Sequence, residues 1–346
     1  MMFAQQKLPQ PTNSNNHRNS SSSSSSRSRS RSRRTIVTNR ARTTTHQTLE
    51  NDNDNENNRN KTRRRETIQL ATAALLFFAQ ARVKSFGSSS SSSSDSNSVN
   101  DNDVRRALRD ILEHKIQKTK CPAVLRVAFH DAGTFNNQSN DGGMNASVLY
   151  ELGRPESFGL KRGLNPIREV FEEMKARGFT DDEISLADCI ACAGAYAVEL
   201  TGGPKFLESI PLGRKDANVE DPENRMPIET LHGKEMREHF QNLYGLSSQE
   251  MVALSGAHTI GQKGFGDPYT FDNEYFITLK KNPWTLPNLT KDELEMNEHI
   301  GLLSDRYLLE DEENKKWIYK YADDIDLFNR DFVTAYIKLT SLGVKY

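Results

Sequence analysis

The sequence predicts an all-α domain that follows a long polar tail, and two observations carry this prediction. Residues 1–100 hold 16 Lys and Arg against 6 Asp and Glu, whereas residues 101–346 hold 30 against 41. Such a change of charge between segments is typical of a tail joined to a folded body. Within the body, apolar residues recur at the period of a helix, and alternating strand patterns are scarce.

Helical periodicity and capping motifs predict where the helices lie. The apolar residues of 103–118 fall on one stripe. SSQE at 247–250 and TDDE at 180–183 each place a hydroxyl three residues before a carboxylate, the pattern of a capping box at a helix start. The predicted helices are 103–118, 164–175, 184–200, 235–244, 248–255, 273–281 and 322–339.

Cysteine content and charge exclude several classes of protein. Cys121, Cys189 and Cys192 cannot make a dense disulfide framework, so the fold must depend on its apolar core. Cys189 and Cys192 form a CxxC inside an apolar helical pattern, which favours core packing over a redox or zinc role. The acidic body argues against nucleic acid as a partner. The sequence predicts no particular oligomeric state.

The first 95 residues are predicted to be a disordered targeting region, and residues 96–346 the folded domain. Ser and Arg dominate 14–34, Asn and Asp dominate 51–60, and such segments bury too little apolar surface to offset chain entropy. The Arg-rich, Ser-rich, acid-poor start is typical of a plastid transit peptide. An RNA-associated arm is the alternative interpretation of its RS repeats.

A second targeting signal is a further hypothesis for residues 63–81. Three arginines at 63–65 precede an apolar run at 68–78 that ends in an AxA-like site, the pattern of an export signal. Such a signal directs a plastid protein toward the thylakoid lumen, so stroma and lumen both stay open. A membrane-skimming or disordered segment fits equally well. The run is too short to span a bilayer, so no stable membrane insertion is expected.

The segment LRVAFHDAG (125–133) carries the first candidate chemistry. On a helix, Arg126 and His130 lie four residues apart and share a face, with apolar residues between them. An imidazole that exchanges protons beside a permanent cation suits peroxide cleavage. A solvated helix face is the ordinary interpretation of such a pair.

Two later segments carry a candidate imidazole and a candidate carboxylate. His258 emerges where the helix of MVALSGAHTIG (251–261) ends, either to satisfy the last carbonyls or to bind a haem iron. Asp305 in LLSDRYLL (302–309) either accepts the other ring proton of His258, which makes the imidazole a stronger ligand, or caps a helix.

These three segments, in this order, resemble the plant, fungal and bacterial haem peroxidase superfamily over about residues 100–346. The chain is similar to the intracellular group that includes ascorbate peroxidase and cytochrome c peroxidase, and most to the ascorbate peroxidase-related proteins of plant chloroplasts. The resemblance implies a two-lobed fold with haem b between distal and proximal helices. Its other landmarks are SLADCIACAGAYAVELTGGP (185–204), LGRKD (212–216), FDNEYF (271–276) and YADDIDLFNRDFVTAYIKLTSLG (321–343).

The resemblance also implies a role for each matching residue. Arg126 and His130 match the distal pair that acts on hydrogen peroxide. His258 matches the ligand of the haem iron, and Asp305 its carboxylate partner. Phe129 stands at the position of the distal aromatic residue.

Departures from the family pattern limit what the resemblance implies. Ser157 is the nearest match to the distal asparagine that orients the catalytic imidazole, unless it is an ordinary loop serine. No arginine occurs between His258 and Arg306, so the usual ascorbate-binding arginine is absent. The proximal tryptophan has no clear counterpart, with Phe265 and Tyr269 its nearest candidates.

The remaining expectations concern the cofactors and the reaction. Ser255 and Phe265 are expected to border the haem, and one K⁺ or Ca²⁺ ion has candidate oxygen ligands. The predicted function is reduction of hydrogen peroxide during oxidative stress, with ascorbate, a phenol or another small molecule as electron donor. The alternative is a haem-binding regulatory or photosystem-associated protein that lost turnover. The candidate cation ligands are Thr259, Asp267, Thr270 and Asp272.

Overall fold

A computed structural model of the chain describes residues 100–344. The predicted targeting region at 1–95, with the second signal at 63–81, lies outside these residues. The described part contains eleven α-helices joined by loops and short turns, and its one isolated β-bridge joins Asn136 to Asp141. The predicted all-α fold is confirmed. None of the helices between residues 100 and 344 is both long and apolar enough to cross a membrane.

The helices follow one another along the chain with few long connections. They are α1 Asp101–Lys115, α2 Cys121–Ala132, α3 Lys161–Ala176, α4 Leu186–Leu200, α5 Gly233–His239, α6 Ser248–Ser255, α7 Glu274–Lys281, α8 Lys291–Glu298, α9 Leu303–Tyr307, α10 Glu312–Asp323 and α11 Ile325–Leu339.

The predicted capping motifs have different outcomes. Ser247 and Glu250 form the capping box at the start of α6, as predicted. The prediction for TDDE was wrong, because Thr180 and Glu183 close a turn that precedes the helix. The N-cap of α4 is Ser185, whose hydroxyl accepts the backbone N–H of Asp188 at 3.0 Å. Two segments with the capping-box pattern, starting at Thr180 and Ser185, follow each other here. Their sequences alone do not show which of the two begins the helix.

The last part of the chain also differs from its prediction. The helix predicted at 322–339 corresponds to α11, which begins three residues later, at Ile325; residues 322 and 323 end α10, a helix that was not predicted, and the two helices meet at Asp324. The backbone of Asp324 is extended, with φ −140° and ψ 95°, and its side chain accepts the N–H of Leu327 at 2.9 Å. Apolar periodicity continues across this break, so the pattern alone did not reveal it.

The helices form two groups that meet along α4 and α11. In the first group α2 packs against α3 and α4, and in the second α10 packs against α6 and α7 while α11 packs against α6. Small residues in α4 permit close approach between the groups. A Cβ at Gly194 would lie 2.0 Å from the Tyr336 hydroxyl, which donates to the carbonyl of Ala191 at 2.9 Å. The CxxC cysteines of α4 are reduced and buried, as the core-packing interpretation predicted.

A buried ion pair joins the start of α4 to the end of α11. Arg214, from the LGRKD segment, donates to the Asp188 carboxylate at 2.9 Å, and both side chains are at most 1% exposed. The guanidinium also donates to the carbonyl of Thr340 at 2.7 and 3.0 Å and to that of Pro211. Asp216 accepts the first two backbone N–H groups of α4. The segment therefore fixes the helix start.

We expect Arg214→Met to destabilise the fold by about 3–5 kcal/mol, because it leaves the Asp188 carboxylate buried without its cation. Urea unfolding followed by circular dichroism measures this change. Lys215→Met is the matched control, since the Lys215–Asp182 pair is exposed and such pairs contribute at most about 1 kcal/mol. Equal midpoints for the two variants would contradict this account.

Candidate active site

The proximal half of the site begins where α6 ends. A short turn, Gly256–Thr259, follows the helix and carries His258. Glycine is required at position 256, because a Cβ there would lie 2.4 Å from the ring of Phe328. The backbone at Gly256 thus packs directly against the ring of Phe328, and this contact fixes the turn that carries His258.

Asp305 anchors the imidazole of His258. The Asp305 carboxylate, 2% exposed, accepts the Nδ1–H of His258 at 2.8 Å. It also accepts the backbone N–H of Leu302 at 2.7 Å and the hydroxyl of Tyr275 at 2.9 Å. Burial opposes ionisation, but the charge of His258 and these hydrogen bonds outweigh it and hold the pKa of Asp305 below its usual range. The carboxylate in turn raises the pKa of His258 against the effect of burial.

The second ring nitrogen of His258, Nε2, is left without a hydrogen bond to the described residues. Its Nε2 has no hydrogen-bond partner among residues 100–344, and the side chain is 41% exposed although its anchor is fully enclosed. In the neutral form of the ring, with Nδ1 donating to Asp305, Nε2 carries a lone pair. The arrangement presents a fixed, electron-rich nitrogen ligand.

The distal half of the site lies on α2. His130 is buried, and burial together with the charge of Arg126 lowers the pKa of His130 to about 3. Its imidazole is therefore neutral at physiological pH. Arg126 is exposed and donates to the carbonyls of Phe158 at 2.9 Å and Glu156 at 2.8 Å. These bonds join α2 to the loop that contains Ser157.

The other two residues predicted for the distal side are Ser157 and Phe129. Ser157 is buried beside the loop carbonyls that Arg126 binds, but no hydrogen bond joins it to His130 in the described chain. Phe129 is partly buried and stacks on Phe240 with ring centroids 6.2 Å apart. Phe129 therefore positions α2 against the segment that precedes α6.

The end of α2 is held by a second buried carboxylate, Asp131. It accepts the backbone N–H groups of Asn145, Ala146 and Val148 at 2.8–3.1 Å. Burial nevertheless raises the pKa of Asp131 to about 7. The loop after α2 is thereby folded back onto the helix that carries His130.

Glu229 links the two halves electrostatically. Burial lowers the pKa of Arg126, and the exposed carboxylate of Glu229 opposes this effect. The same carboxylate adds to the raised pKa of His258, where the charge of Lys263 acts against it. The carbonyl of Glu229 accepts the N–H of Ser304 at 3.0 Å, which ties this loop to α9. Sequence reasoning missed Glu229, because a loop carboxylate carries no local signal.

Tyr275 is the second residue that sequence reasoning missed. Neither Phe265 nor Tyr269 bonds to Asp305. Instead Phe265 is buried against Tyr275, with centroids 4.8 Å apart, and Tyr275 holds the carboxylate. Ser255 lies beside the same phenol. The FDNEYF landmark contained the signal, since its tyrosine falls on the buried face of α7.

The candidate cation ligands form two separate pairs. The hydroxyl of Thr259 donates to Asp272 at 2.6 Å, and that of Thr270 donates to Asp267 at 2.5 Å. Across residues 100–344 no cluster of three or more His, Cys, Asp or Glu is poised to hold a metal ion. The K⁺ or Ca²⁺ site stays a prediction.

Comparison with known proteins identifies the family. The Peroxidase family model matches residues 101–324. The chain is 42% identical over 247 residues to putative L-ascorbate peroxidase 6 of Arabidopsis thaliana, covering 71% of each protein. It is 37% identical to L-ascorbate peroxidase 3 of the same plant, over 69% of this chain and 79% of that protein.

A fungal relative lies in the same class. Mitochondrial cytochrome c peroxidase of Pyricularia oryzae is 31% identical over 242 residues, which cover 65% of each protein. With well over half of its length matched by the family model, this chain belongs to the peroxidase family, in the intracellular class of plant-type haem peroxidases.

Proposed function

We propose that His258 is the ligand of the haem iron and that Arg126 and His130 act on hydrogen peroxide at the opposite face. The observation that carries the proposal is the imidazole of His258, whose Nδ1 is anchored by Asp305 while Nε2 is uncovered. These residues fit haem, because iron in this family is held by one neutral, fixed imidazole. When bound, haem supplies the redox-active iron at which peroxide is reduced.

The distal residues supply acid–base chemistry. His130, neutral and buried, accepts a proton from one oxygen of hydrogen peroxide and returns it to the other. Arg126 stabilises the negative charge that develops on the departing oxygen. Its bonds to the carbonyls of Glu156 and Phe158 hold the guanidinium in place and leave other N–H donors for the substrate.

The proposed electron donor is a small neutral reductant, such as a phenol, in preference to ascorbate. Ascorbate is an anion at neutral pH, and Glu229 places a negative charge close to the proposed haem site. The segment between His258 and Arg306 contains no arginine that could bind ascorbate, although the charge of its Lys263 opposes that of Glu229 at His258. A proposed role in oxidative stress follows from removal of peroxide.

The proposed compartment is the plastid. The Arg-rich and Ser-rich composition before residue 51 supports this proposal. Sequencing the N-terminus of protein isolated from its native cells tests it. A mature chain that retains the RS repeats would exclude a cleaved transit peptide.

We expect His258→Ala to abolish stable haem binding and Asp305→Asn to weaken it about 10- to 100-fold, because the carboxylate orients the ligand. Titration of the purified protein with haem, followed at the Soret band, measures both effects. His299→Ala replaces an exposed histidine and serves as the control. Haem binding that survives His258→Ala undiminished would refute the assignment of the ligand.

We expect Arg126→Leu and His130→Ala to slow the reaction with hydrogen peroxide by about 10²- to 10⁴-fold. Stopped-flow spectroscopy measures this rate, and Arg168→Leu, an exposed change on α3, is the control. In the unmodified protein the imidazole loses its basic function only when it is protonated. The rate should therefore stay constant as the pH falls, until the pH approaches about 3. A decline centred near 6.5 would argue against His130 as the base.

We expect Glu229→Gln to raise the ratio of ascorbate to guaiacol oxidation by up to about fivefold, since one exposed charge contributes at most about 1 kcal/mol. Steady-state kcat/KM for the two donors measures the ratio, and the difference between variant and parent should shrink as salt screens Glu229 in the parent. Glu238→Gln removes an exposed carboxylate elsewhere, on α5, and controls for net charge. An unchanged ratio would show that Glu229 does not affect which donor the enzyme prefers.

A further inference from the structure

A chain of aromatic rings leads from the proximal pair to the protein surface. Tyr275 lies edge-on to His258, with centroids 5.8 Å apart, and Phe276 lies 4.9 Å from Tyr275. Tyr321 of α10 lies 5.2 Å from Phe276, and Trp317, one turn earlier in α10, lies 5.9 Å from Tyr321. Trp317 is partly exposed, whereas the rings before it are buried.

The three rings in this chain that are readily oxidised each donate to a carboxylate. A phenol or an indole becomes a much stronger acid when it loses an electron, so a nearby carboxylate allows the proton to leave with the electron. The three pairs are Tyr275 to Asp305 at 2.9 Å, Tyr321 to Asp331 at 3.0 Å and Trp317 to Glu313 at 3.3 Å.

The exposed end of the chain carries positive charge. The ammonium group of Lys320 lies 4.0 Å from the centre of the Trp317 ring, and that of Lys316 lies 5.5 Å from it. Lys316 is paired with Glu313, but Lys320 forms no ion pair within residues 100–344. A cation over the ring disfavours a positive charge on the indole, so oxidation of Trp317 requires loss of its proton to Glu313. The same cations attract an anionic donor.

We propose that Trp317 is a second donor site, at which anionic one-electron reductants deliver electrons that pass through Tyr321 and Tyr275 to the proximal side of the haem. The proposal rests on the assigned roles of His258 and Asp305. It adds a route whose entry point, Trp317, is a different residue from Glu229.

The electron and proton balance closes at each step. Hydrogen peroxide, acting through the haem, supplies the oxidising equivalent. Tyr275 gives up one electron and passes its proton to Asp305. One electron from Tyr321 then reduces the Tyr275 radical, which takes its proton back from Asp305, while Tyr321 passes its own proton to Asp331. One electron from Trp317 reduces the Tyr321 radical, which takes its proton back from Asp331, while Trp317 passes its proton to Glu313. The donor finally gives one electron to the indolyl radical, which recovers its proton.

Trapping of radicals on the protein tests the route without relying on turnover. The haem-loaded full chain is treated with hydrogen peroxide and a nitroso spin trap without donor, and the adducts are located by peptide mass spectrometry. We expect an adduct on Trp317. Its yield should fall about tenfold in Tyr321→Phe, because loss of this step is expected to slow electron transfer from Trp317 about tenfold. Tyr321→Phe preserves ring packing, and Gln249 still donates to Asp331 at 2.7 Å.

Donor choice supplies the second readout. We expect the ratio of ferrocyanide to guaiacol turnover to fall about tenfold in Trp317→Phe and in Tyr321→Phe, again one decade in rate. Trp284→Phe is the matched control, because the other tryptophan stacks on Arg306 away from this chain of rings.

Two results would overturn the proposal while leaving the peroxidase assignment intact. One is a normal spectral response to peroxide with no adduct on Trp317, and the other is an adduct and a ratio that Tyr321→Phe does not change. A haem-loaded protein whose spectrum does not respond to peroxide would overturn both this proposal and the assigned site.

Discussion

The candidate site depends on one buried carboxylate. Asp305 accepts hydrogen bonds from His258, from the Tyr275 hydroxyl and from the backbone of Leu302, and an isolated charge with so little exposure would otherwise be costly. Each of these donors belongs to a different part of the chain. The carboxylate therefore aligns the proximal imidazole and at the same time holds the turn after α6, helix α7 and the start of α9 together.

The distal half is organised on a different principle. There α2 is held by backbone contacts, with Arg126 bound to loop carbonyls and Asp131 bound to loop N–H groups. The side chain of His130 makes no hydrogen bond to the described residues, and burial lowers its pKa. A proton acceptor without a competing partner is free to serve the substrate. The family's orienting asparagine has no hydrogen-bonded counterpart here, which makes packing around His130 the means of holding the ring.

The charges around the site bear on the choice of donor. Glu229 places a carboxylate near the distal cation and the proximal imidazole, whereas Lys316 and Lys320 place cations over Trp317. Neutral and anionic reductants would thus meet different surfaces of one enzyme. Both proposed routes depend on the haem site that Asp305 organises through its hydrogen bond to His258.

The sequence alone determined the helical class and the family, and it gave the proposed site residues Arg126, His130, His258 and Asp305, because these depend on local periodicity and short motifs. Tertiary structure decided which capping box begins α4, where Asp324 separates two helices, and that Tyr275 rather than Phe265 or Tyr269 holds Asp305. It also brought Glu229 near residues more than a hundred positions before it and about thirty after it. Spacing along the chain predicts which side chains share a helix face. It does not record which faces meet, since that depends on packing among elements far apart in sequence.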